Sequence, residues 1–317
     1  MSSHCPACDS VEFQLLFTAS DRLYHTTSKK FQVVECKRCR MLQLTPQPTP
    51  SELETYYPKN YWYTLETSAA SRLEEIYRRL VLRDHVRFVE RAVRESAVSG
   101  PVLDVGCGGG LFLRMLQDRG FRVMGLDFSH EAAHVAWSLN HAPATCATLE
   151  AAPFPLLSCA AVTMFHVLEH LYDPRTYLQA AHELLRPGGR LIVQVPNAAC
   201  WQFRLLGASW NGVDVPRHLY GFRPEDLDRM LDSCGFEMLR RKYFSWRDNP
   251  AGLATSLAPS LDPMARRIRR SKEGPSTRLV KDLLYGALVL AALPFTALEA
   301  ACRAGSTIMI EARKKTA

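Results

Sequence analysis

The chain has 317 residues, of which 47% are hydrophobic and 22% are charged. This balance is typical of a soluble globular protein with one sizeable core and an appendage. The net charge is +7, and the stretch 262–282 alone, with seven basic and three acidic residues, carries +4 of it. We therefore expect no general nucleic-acid surface. The first residues lack a basic segment followed by an apolar run, so we expect no targeting peptide and a cytoplasmic protein.

Four of the ten cysteines form two C-x-x-C pairs, Cys5 with Cys8 and Cys36 with Cys39. Two such pairs are the usual ligands of a tetrahedral zinc site, and four thiolates leave no position open for catalysis. Alternating apolar residues lie between the pairs, so residues 1–45 are predicted to be a small β unit around a structural zinc ion. A redox disulfide pair is the alternative interpretation.

A proline-rich stretch, TPQPTP, follows this unit and predicts a boundary. Residues 46–100 are expected to hold a linker and N-terminal helices. Ser51 with Glu54 predicts a capping box at the start of a short helix. The pattern of residues 68–96 predicts one long amphipathic helix.

From Pro101 onwards, strands, glycine turns and helices alternate along the chain. The strands are PVLDVG, FRVMGLD, AAVTMFHV and RLIVQVP, and two further strand candidates, EMLRRKYFSW and STIMIEARK, come later. This alternation predicts an α/β fold with a doubly wound parallel sheet. We assign it residues 101–248 and 304–317, with a helical, partly apolar insertion at 249–303 before the last strand.

The turn after the first of these strands is rich in glycine, with Gly106, Gly108 and Gly110 at alternate positions. A dinucleotide fingerprint requires a third glycine where Leu111 stands. Asp104, just before the loop, would repel a pyrophosphate but attract a cation. S-adenosylmethionine carries a sulfonium and an ammonium group and no phosphate, so it fits this loop better than a dinucleotide.

Asp127 ends the second strand, 21 residues after Gly106, about where doubly wound folds place the carboxylate that binds ribose hydroxyls. The motifs VLDVGCGGG, GLD, FHVLEHLYDP and LLRPGGRLIVQVPN, in this order, resemble those of class I S-adenosylmethionine-dependent methyltransferases. The resemblance covers roughly Pro101 to Lys242. The N-terminal cysteine segment is similar to the zinc knuckles of a bacterial group of these enzymes, some of which act on sugars and other secondary metabolites.

The resemblance implies a seven-stranded Rossmann-like sheet and S-adenosyl-L-methionine as cofactor. The methionyl part of the cofactor would face Asp104 and the glycine loop, the ribose would face Asp127, and the adenine would lie by the segment 148–150. Cys107 is interpreted as a small residue between glycines and not as a nucleophile. The cofactor-binding residues so implied are Asp104, Gly106, Cys107, Gly108, Gly110, Asp127, Phe128, Thr148, Leu149 and His166.

His166, Glu169 and His170 match H-x-x-E-H, the inverted zincin pattern, which needs both histidines on one helix. Here a strand precedes His166 and Asp173 begins the next helix, so a protease is not expected. We predict that His166 lies beside the cofactor and is a candidate catalytic residue, and that His170 binds substrate. The alternative is that both histidines only satisfy loop carbonyls.

The segment 197–222 follows the strand RLIVQVP and is rich in aromatic residues, which is unusual for a surface loop. Transfer of a methyl group to oxygen needs a base for the hydroxyl proton, and His218 is the first candidate. Asp214 would orient His218 or accept the proton, and Arg217 would hold an acidic substrate group. The alternative is that these charges only fix the loop. The other predicted substrate contacts are Trp210 and Tyr220.

The predicted function is methyl transfer to an oxygen of a small molecule, most simply an amphipathic sugar-like or quinone-like metabolite. One alternative function is methyl transfer to carbon or nitrogen, and a second is a cofactor-binding scaffold without turnover. A nicotinamide-dependent enzyme is a third, more distant alternative. The sequence predicts no nucleic-acid partner and leaves the oligomeric state and the acceptor open.

An apolar run at 283–300 is interrupted by Pro294 and reaches Glu299 before a comfortable membrane span is complete. In class I methyltransferases the sixth and seventh strands pair, and this run lies between them, so a single crossing would separate the pair. The run is expected to pack on the core or on a second copy, or to touch the inner face of a membrane peripherally. Basic residues from Arg266 to Lys272 favour the membrane, and the predicted contact region is 266–300.

Overall fold

The structure, a computed structural model, describes residues 4–57, 69–270 and 273–315. Part of the predicted linker (58–68), including the predicted helix start at Ser68, lies outside the described residues, as does Lys272 of the predicted basic cluster. The chain divides into two compact units. The sheet unit comprises Trp62–Val195, Asp228–Trp246 and Met309–Ala317, and the cysteine unit comprises Met1–Tyr61, Pro196–Leu227 and Arg247–Ile308. The segment boundaries expected from the sequence remain predictions.

In the described residues the strands are β1 (Phe13–Ala19), β2 (Phe31–Cys36), β3 (Leu42–Thr45), β4 (Val102–Val105), β5 (Val123–Asp127), β6 (Ala144–Cys146), β7 (Cys159–Phe165), β8 (Leu185–Pro196), β9 (Tyr220–Gly221), β10 (Phe236–Lys242) and β11 (Thr307–Lys314). The α-helices are α1 (Pro50–Thr55), α2 (Ala69–Ser96), α3 (Leu111–Gln117), α4 (His130–Ser138), α5 (Pro174–Leu184), α6 (Trp201–Leu206), α7 (Pro224–Ser233), α8 (Asn249–Leu257), α9 (Pro263–Ile268) and α10 (Pro275–Ala301).

A seven-stranded sheet has the order β10-β11-β8-β7-β4-β5-β6. Strand β4 pairs in parallel with both β5 and β7, and β7 pairs in parallel with β8, whereas β10 and β11 are antiparallel. The chain order reverses at β4, so the sheet is doubly wound and the carboxyl ends of β4, β5 and β7 meet at one edge. All four residues of β4 are buried, as expected for a central strand covered on both faces. The predicted Rossmann-like methyltransferase fold is confirmed.

The core of the sheet unit is built from apolar residues of α2, α3 and the central strands. The ring of Phe165, at the end of β7, meets both Phe112 and His85 edge to face, with ring centroids 5.1 Å apart in each pair. One close fit in the unit is at Gly110, which precedes α3. A Cβ there would lie 2.8 Å from the Cβ of Ala136 on α4, so only glycine lets the loop approach that helix.

The cysteine unit contains a four-stranded antiparallel sheet of order β1-β2-β3-β9. The sequence predicted a small β unit within residues 1–45, and its first three strands lie there. The fourth strand was not predicted: Tyr220–Gly221 pairs with β3 through Leu42 and Gln43. A two-residue strand has no periodicity of its own, so only its tertiary pairing reveals it.

Side chains cap two of the helix starts. Ser129 caps α4, and its hydroxyl accepts the N–H of Ala132. At α1 the predicted Ser51 and Glu54 pair is wrong, because the capping box is formed by Thr49 and Glu52. Pro50 explains the shift, since proline favours the first helical position and leaves the preceding residue as the cap.

The apolar insertion forms α10, a helix of 27 residues that continues through Pro294. It is the one helix of the described residues that is long and apolar enough to cross a membrane, yet only 17% of its most apolar window is buried. The antiparallel pairing of β10 with β11 agrees with the predicted pairing of the sixth and seventh strands. The insertion therefore leaves the sheet and returns to it.

Candidate active site

The glycine loop after β4 folds back on the end of β5. The N–H groups of Gly106 and Cys107 both donate to the carbonyl of Leu126, at 2.7 and 3.0 Å. Gly106, Gly108 and Gly110 have φ values of 74°, 51° and 76°, in the left-handed region that favours glycine. A Cβ at Gly108 would meet no atom within 4 Å, so this part of the loop borders open space.

Two buried carboxylates lie at the ends of the strands beside this loop. Asp104 is 4% exposed and accepts a hydrogen bond of 2.5 Å from the hydroxyl of Thr163 on β7. Asp127 accepts the N–H groups of Gly108 and Ser129, each at 2.9 Å. Burial raises the pKa of Asp127 above its usual value, although these N–H groups act to lower it. The loop and Asp127 are thus held together as one site.

The remaining predicted cofactor residues surround the end of β5. The Phe128 ring is 61% exposed and Leu149 is buried, whereas Thr148 is exposed. Burial, with Asp104 and Asp127 nearby, raises the pKa of the Cys107 thiol, which agrees with its interpretation as a non-nucleophile. Two carboxylates, backbone amides, open space at Gly108 and an exposed ring fit a ligand with an ammonium group, a ribose and an adenine. The donor set therefore suits S-adenosylmethionine.

His166 follows the last residue of β7 and has a φ of 57°, which is uncommon outside glycine and typical of functional sites. Its Nδ1 lies 3.0 Å from Oε1 of Glu169, and its Nε2 lies 2.9 Å from the side-chain nitrogen of Gln194. A carboxylate accepts only, so Nδ1 carries the proton and Nε2 accepts from the Gln194 amide. Both ring nitrogens thus have partners within the sheet unit.

His170 ends a short 3-10 turn, Leu168–His170, and is half-buried. His166 and His170 therefore do not share an α-helix, which the inverted zincin geometry needs. His166 and His170 lie in the sheet unit with the cofactor residues. The other predicted catalytic and substrate residues lie in the cysteine unit.

In the cysteine unit, Arg217 is the centre of a buried ion-pair network. Its Nη2 donates to Asp21 at 2.9 Å and to Asp214 at 2.6 Å, and its guanidinium lies 4.4 Å from the centroid of the Tyr24 ring. The side chains of Arg217 and Asp21 are 0% exposed. Burial raises the pKa of Asp21, but Arg217 outweighs it and lowers the pKa to about 2. Substrate binding by Arg217 remains a prediction, and its guanidinium has protein partners.

His218 follows Arg217 and is oriented by the backbone. Its Nδ1 lies 2.9 Å from the carbonyl oxygen of Gly212, and its Nε2 lies 3.9 Å from Oδ2 of Asp214. A carbonyl oxygen accepts only, so Nδ1 carries the proton and Nε2 is the basic nitrogen of the neutral ring. The predicted substrate residues Trp210 and Tyr220 are nearly buried, with exposures of 4% and 2%.

Comparison with known proteins places the chain in a family. A family model described as a methyltransferase domain matches residues 73–241, more than half of the chain. The chain belongs to this methyltransferase family. It is a class I S-adenosylmethionine-dependent enzyme, as the sequence motifs predicted.

Two relatives give the extent of the similarity. The methyltransferase is 30% identical over 178 residues to the ubiquinone biosynthesis O-methyltransferase of Cronobacter sakazakii, a match that covers 51% of this chain and 70% of that protein. It is 31% identical over 183 residues to the protein of the same name from Pectobacterium carotovorum subsp. carotovorum, with 53% and 74% covered. The family match contains every predicted cofactor and catalytic residue, but not the four cysteines or α10.

The four cysteines of the methyltransferase come together as one cluster. The Sγ atoms of Cys5 and Cys39 are 3.4 Å apart, those of Cys8 and Cys36 are 3.6 Å apart, and all four lie within 4.8 Å of one another. All four are free thiols in this structure. A compact set of four thiols fits a tetrahedral metal such as zinc.

The residues after each cysteine pair support the metal knuckle geometry. Asp9 and Arg40 have φ values of 59° and 70°, the conformation for which glycine is usual. Burial raises the pKa of the Cys36 thiol, but backbone N–H groups of Cys39 and Arg38 outweigh it and lower the pKa to about 7. The turn from Cys36 to Cys39 therefore directs amides at sulfur, which favours a thiolate ligand.

Several site residues of the methyltransferase were not predicted. Gln194 had a usable signal, because it is a polar residue inside the apolar strand RLIVQVP. Thr163 had a similar signal, because it is a polar residue inside the apolar strand AAVTMF. Asp21 and Tyr24 had none, since Asp21 meets Arg217 across 196 positions of the chain.

Proposed function

We propose that this methyltransferase transfers the methyl group of S-adenosylmethionine to an oxygen of an amphipathic small molecule, sugar-like or quinone-like. The observation that carries the proposal is the hydrogen bond between Nδ1 of His218 and the Gly212 carbonyl, which makes Nε2 the proton acceptor. The two relatives described above, both named ubiquinone biosynthesis O-methyltransferase, support oxygen as the acceptor and a quinone-like acceptor class.

Bound S-adenosylmethionine supplies a methyl group already activated by the positive sulfur. What the protein must add is a straight approach for the acceptor oxygen and removal of its proton. In the proposed mechanism Nε2 of His218 takes that proton. Asp214, at 3.9 Å from Nε2, stabilises the imidazolium that forms. Arg217 holds Asp214 in place and is a positioning residue.

In the sheet unit, we propose that Asp104 faces the ammonium group of the cofactor and that Asp127 accepts its ribose hydroxyls. Phe128, Leu149 and Thr148 would border the adenine. His166, whose two ring nitrogens are bound to Glu169 and Gln194, would shape the wall of the site. We assign it no proton transfer.

In the cysteine unit, the cluster of Cys5, Cys8, Cys36 and Cys39 would hold a structural Zn²⁺ ion. We further propose a cytoplasmic enzyme that touches the inner face of the membrane peripherally.

His218→Ala tests the proposed base. With a soluble catechol as acceptor, we expect turnover to fall by about 100-fold or more, with product located on oxygen by NMR. Affinity for S-adenosylhomocysteine, measured by calorimetry, should be unchanged. Residual turnover should rise with pH, because an acceptor hydroxyl that ionises in solution no longer needs a base.

The matched control is His141→Ala, at an exposed histidine of the sheet unit. It should leave turnover unchanged. Equal turnover in the His218 and His141 variants would contradict the assignment of the base. Product methylated on carbon or nitrogen would replace the O-methyltransferase proposal with the corresponding alternative.

A further inference from the structure

Helix α10 has one face that is fixed to its own unit. The hydroxyl of Tyr285 lies 2.8 Å from the hydroxyl of Thr255 and 3.2 Å from Asp262. About two to four turns later, Ala292, Thr296 and Glu299 are buried. Glu299 accepts the backbone and side-chain N–H groups of Gln202 on α6, at 2.9 and 2.8 Å. These contacts fix the rotation of the helix.

The opposite face is exposed and entirely apolar. Positions 279, 283, 287, 290, 294 and 298 recur every three or four residues, so they share one side of the helix. We call this side, with its flanking residues, the α10 apolar face. Its large side chains are each more than half exposed, and they are Leu279, Val280, Leu283, Leu284, Leu290 and Leu298. Residues 283–298 include no charged residue and extend over about 24 Å of helix. A face of this size marks an interaction site, whereas single exposed leucines do not.

Exposed arginines lie near both ends of helix α10. Arg278 is in its first turns, and Arg303 is the second residue after its end. Arg204 is exposed on α6, which meets the C-terminal part of α10 where the ring centroids of Trp201 and Phe295 are 6.2 Å apart.

Part of the basic cluster expected from the sequence has another role. Arg266 is buried and binds Glu273 and Asp282, and Arg269 donates to the carbonyls of Leu23 and Arg22. These two arginines stabilise the unit. The arginines of the cluster that are exposed are Arg267 and Arg270.

We propose that the α10 apolar face docks on the surface of a bilayer that contains anionic lipids, with the helix in the plane of the interface. If α10 crossed the bilayer, the buried Glu299 would become exposed to lipid and β10 would be separated from β11. A second copy fits less well, because a symmetric pair of these helices places arginines opposite arginines at its ends, whereas anionic headgroups complement both ends.

Docking would also orient the proposed acceptor site. The segment 197–222, which carries His218, is attached to the chain after α10: Asn197 donates its side-chain N–H to the Gly305 carbonyl at 2.8 Å and its backbone N–H to the Ser306 carbonyl at 2.9 Å. The acceptor is then an amphipathic molecule taken from the bilayer. This last step rests on the proposed O-methyltransferase function, and the docking itself does not.

The test uses the whole 317-residue chain, prepared with zinc, and flotation with two kinds of vesicle, phosphatidylcholine alone and phosphatidylcholine with phosphatidylglycerol. We expect flotation only with the second kind. Leu290→Glu should lower the floating fraction by about tenfold or more, because a charge at the centre of the face cannot enter the lipid. Leu156→Glu is the matched control, since the two leucines are 67% and 66% exposed, and it should float as the parent does.

Two further measurements complete the test: flotation of arginine variants and turnover of the Leu290→Glu variant. Arg278→Gln with Arg303→Gln should weaken flotation on the anionic vesicles. Leu290→Glu should keep turnover on a soluble catechol and lose it, by about tenfold, on a long-chain catechol embedded in vesicles.

Each outcome is decisive. Absence of flotation, or flotation that Leu290→Glu does not change, overturns the docking proposal. A parent dimer that Leu290→Glu converts to a monomer by light scattering assigns the face to a second copy instead. If the protein floats as expected but methylates no oxygen, the docking stands and the proposed function fails.

Discussion

The two units of this methyltransferase are built from the chain in different ways. In the sheet unit, β4 and β5 follow each other along the chain and pair in parallel, and the glycine loop between them binds Asp127 within 19 residues. In the cysteine unit, β3 pairs with Tyr220–Gly221, and Asp21 binds Arg217 across 196 residues. The first unit therefore depends on buried apolar strands in chain order, and the second on thiols and charges from distant segments.

Loss of the metal should have the largest effect and should separate the two units most clearly. We expect one zinc ion per chain, and we expect Cys36→Ser to release it, since structural zinc in small domains contributes on the order of 10 kcal/mol. Hydrogen exchange measured by mass spectrometry should then accelerate in β1, β2 and β3 and stay slow in β4 and β7. Cys302→Ser, at an exposed thiol of the same unit, is the control. Slow hydrogen exchange in β2 of the metal-free protein would contradict the expectation that the cysteine unit depends on its metal.

The next largest effect is expected at the buried ion pairs of the cysteine unit. Arg217→Met leaves the Asp21 carboxylate buried without its cation, which should lower the free energy of unfolding by about 3–5 kcal/mol in urea titrations. The control is Arg313→Met in the sheet unit. Its salt bridge to Glu237 joins side chains that are 45% and 48% exposed, so the loss there should be about 1 kcal/mol or less. Similar losses in both variants would show that the Arg217 network contributes little.

A smaller, pH-dependent effect is expected in the sheet unit at Asp84 on α2. Burial raises the pKa of this carboxyl, but His85 and Lys242 outweigh it and lower the pKa to about 2, from 3.8. Because the folded-state pKa is lowered, the ionised carboxylate stabilises the fold by about 2 kcal/mol above about pH 4, and this is lost as the pH falls towards 2.

Urea unfolding of the parent and of Asp84→Asn measures this contribution. The difference between their free energies of unfolding should be constant above about pH 4 and should shrink towards pH 2. Asp232→Asn, at a carboxylate that is 76% exposed, should change stability by about 0.5 kcal/mol or less. A parent-minus-variant difference that does not change with pH would rule out the lowered pKa of Asp84.

Much of the candidate cofactor site was predictable because its residues are close in sequence and lie at strand ends. The strand VLDVG, the glycines and Asp127 needed only the rule that carboxyl ends of parallel strands share an edge. The partners of His166 were less predictable, because Gln194 is on β8 and reaches it through the pairing of β7 with β8. The N-cap of α1 was predicted two residues too late. Thr49 with Glu52 and Ser51 with Glu54 both match the capping-box pattern, and Pro50 at the first helical position selects Thr49 as the cap.

The sequence by itself determined the doubly wound sheet, the methyltransferase family and the four-cysteine cluster, because these depend on local spacing and on burial of apolar strands. Only the tertiary structure decided that Arg217 is buried between Asp21 and Asp214, that Nδ1 of His218 is bound to a carbonyl, and that α10 is fixed on one face and exposed on the other. An apolar or charged side chain has the same sequence pattern whether it meets protein, ligand or solvent. Which of these it meets depends on packing between segments that are far apart in the chain.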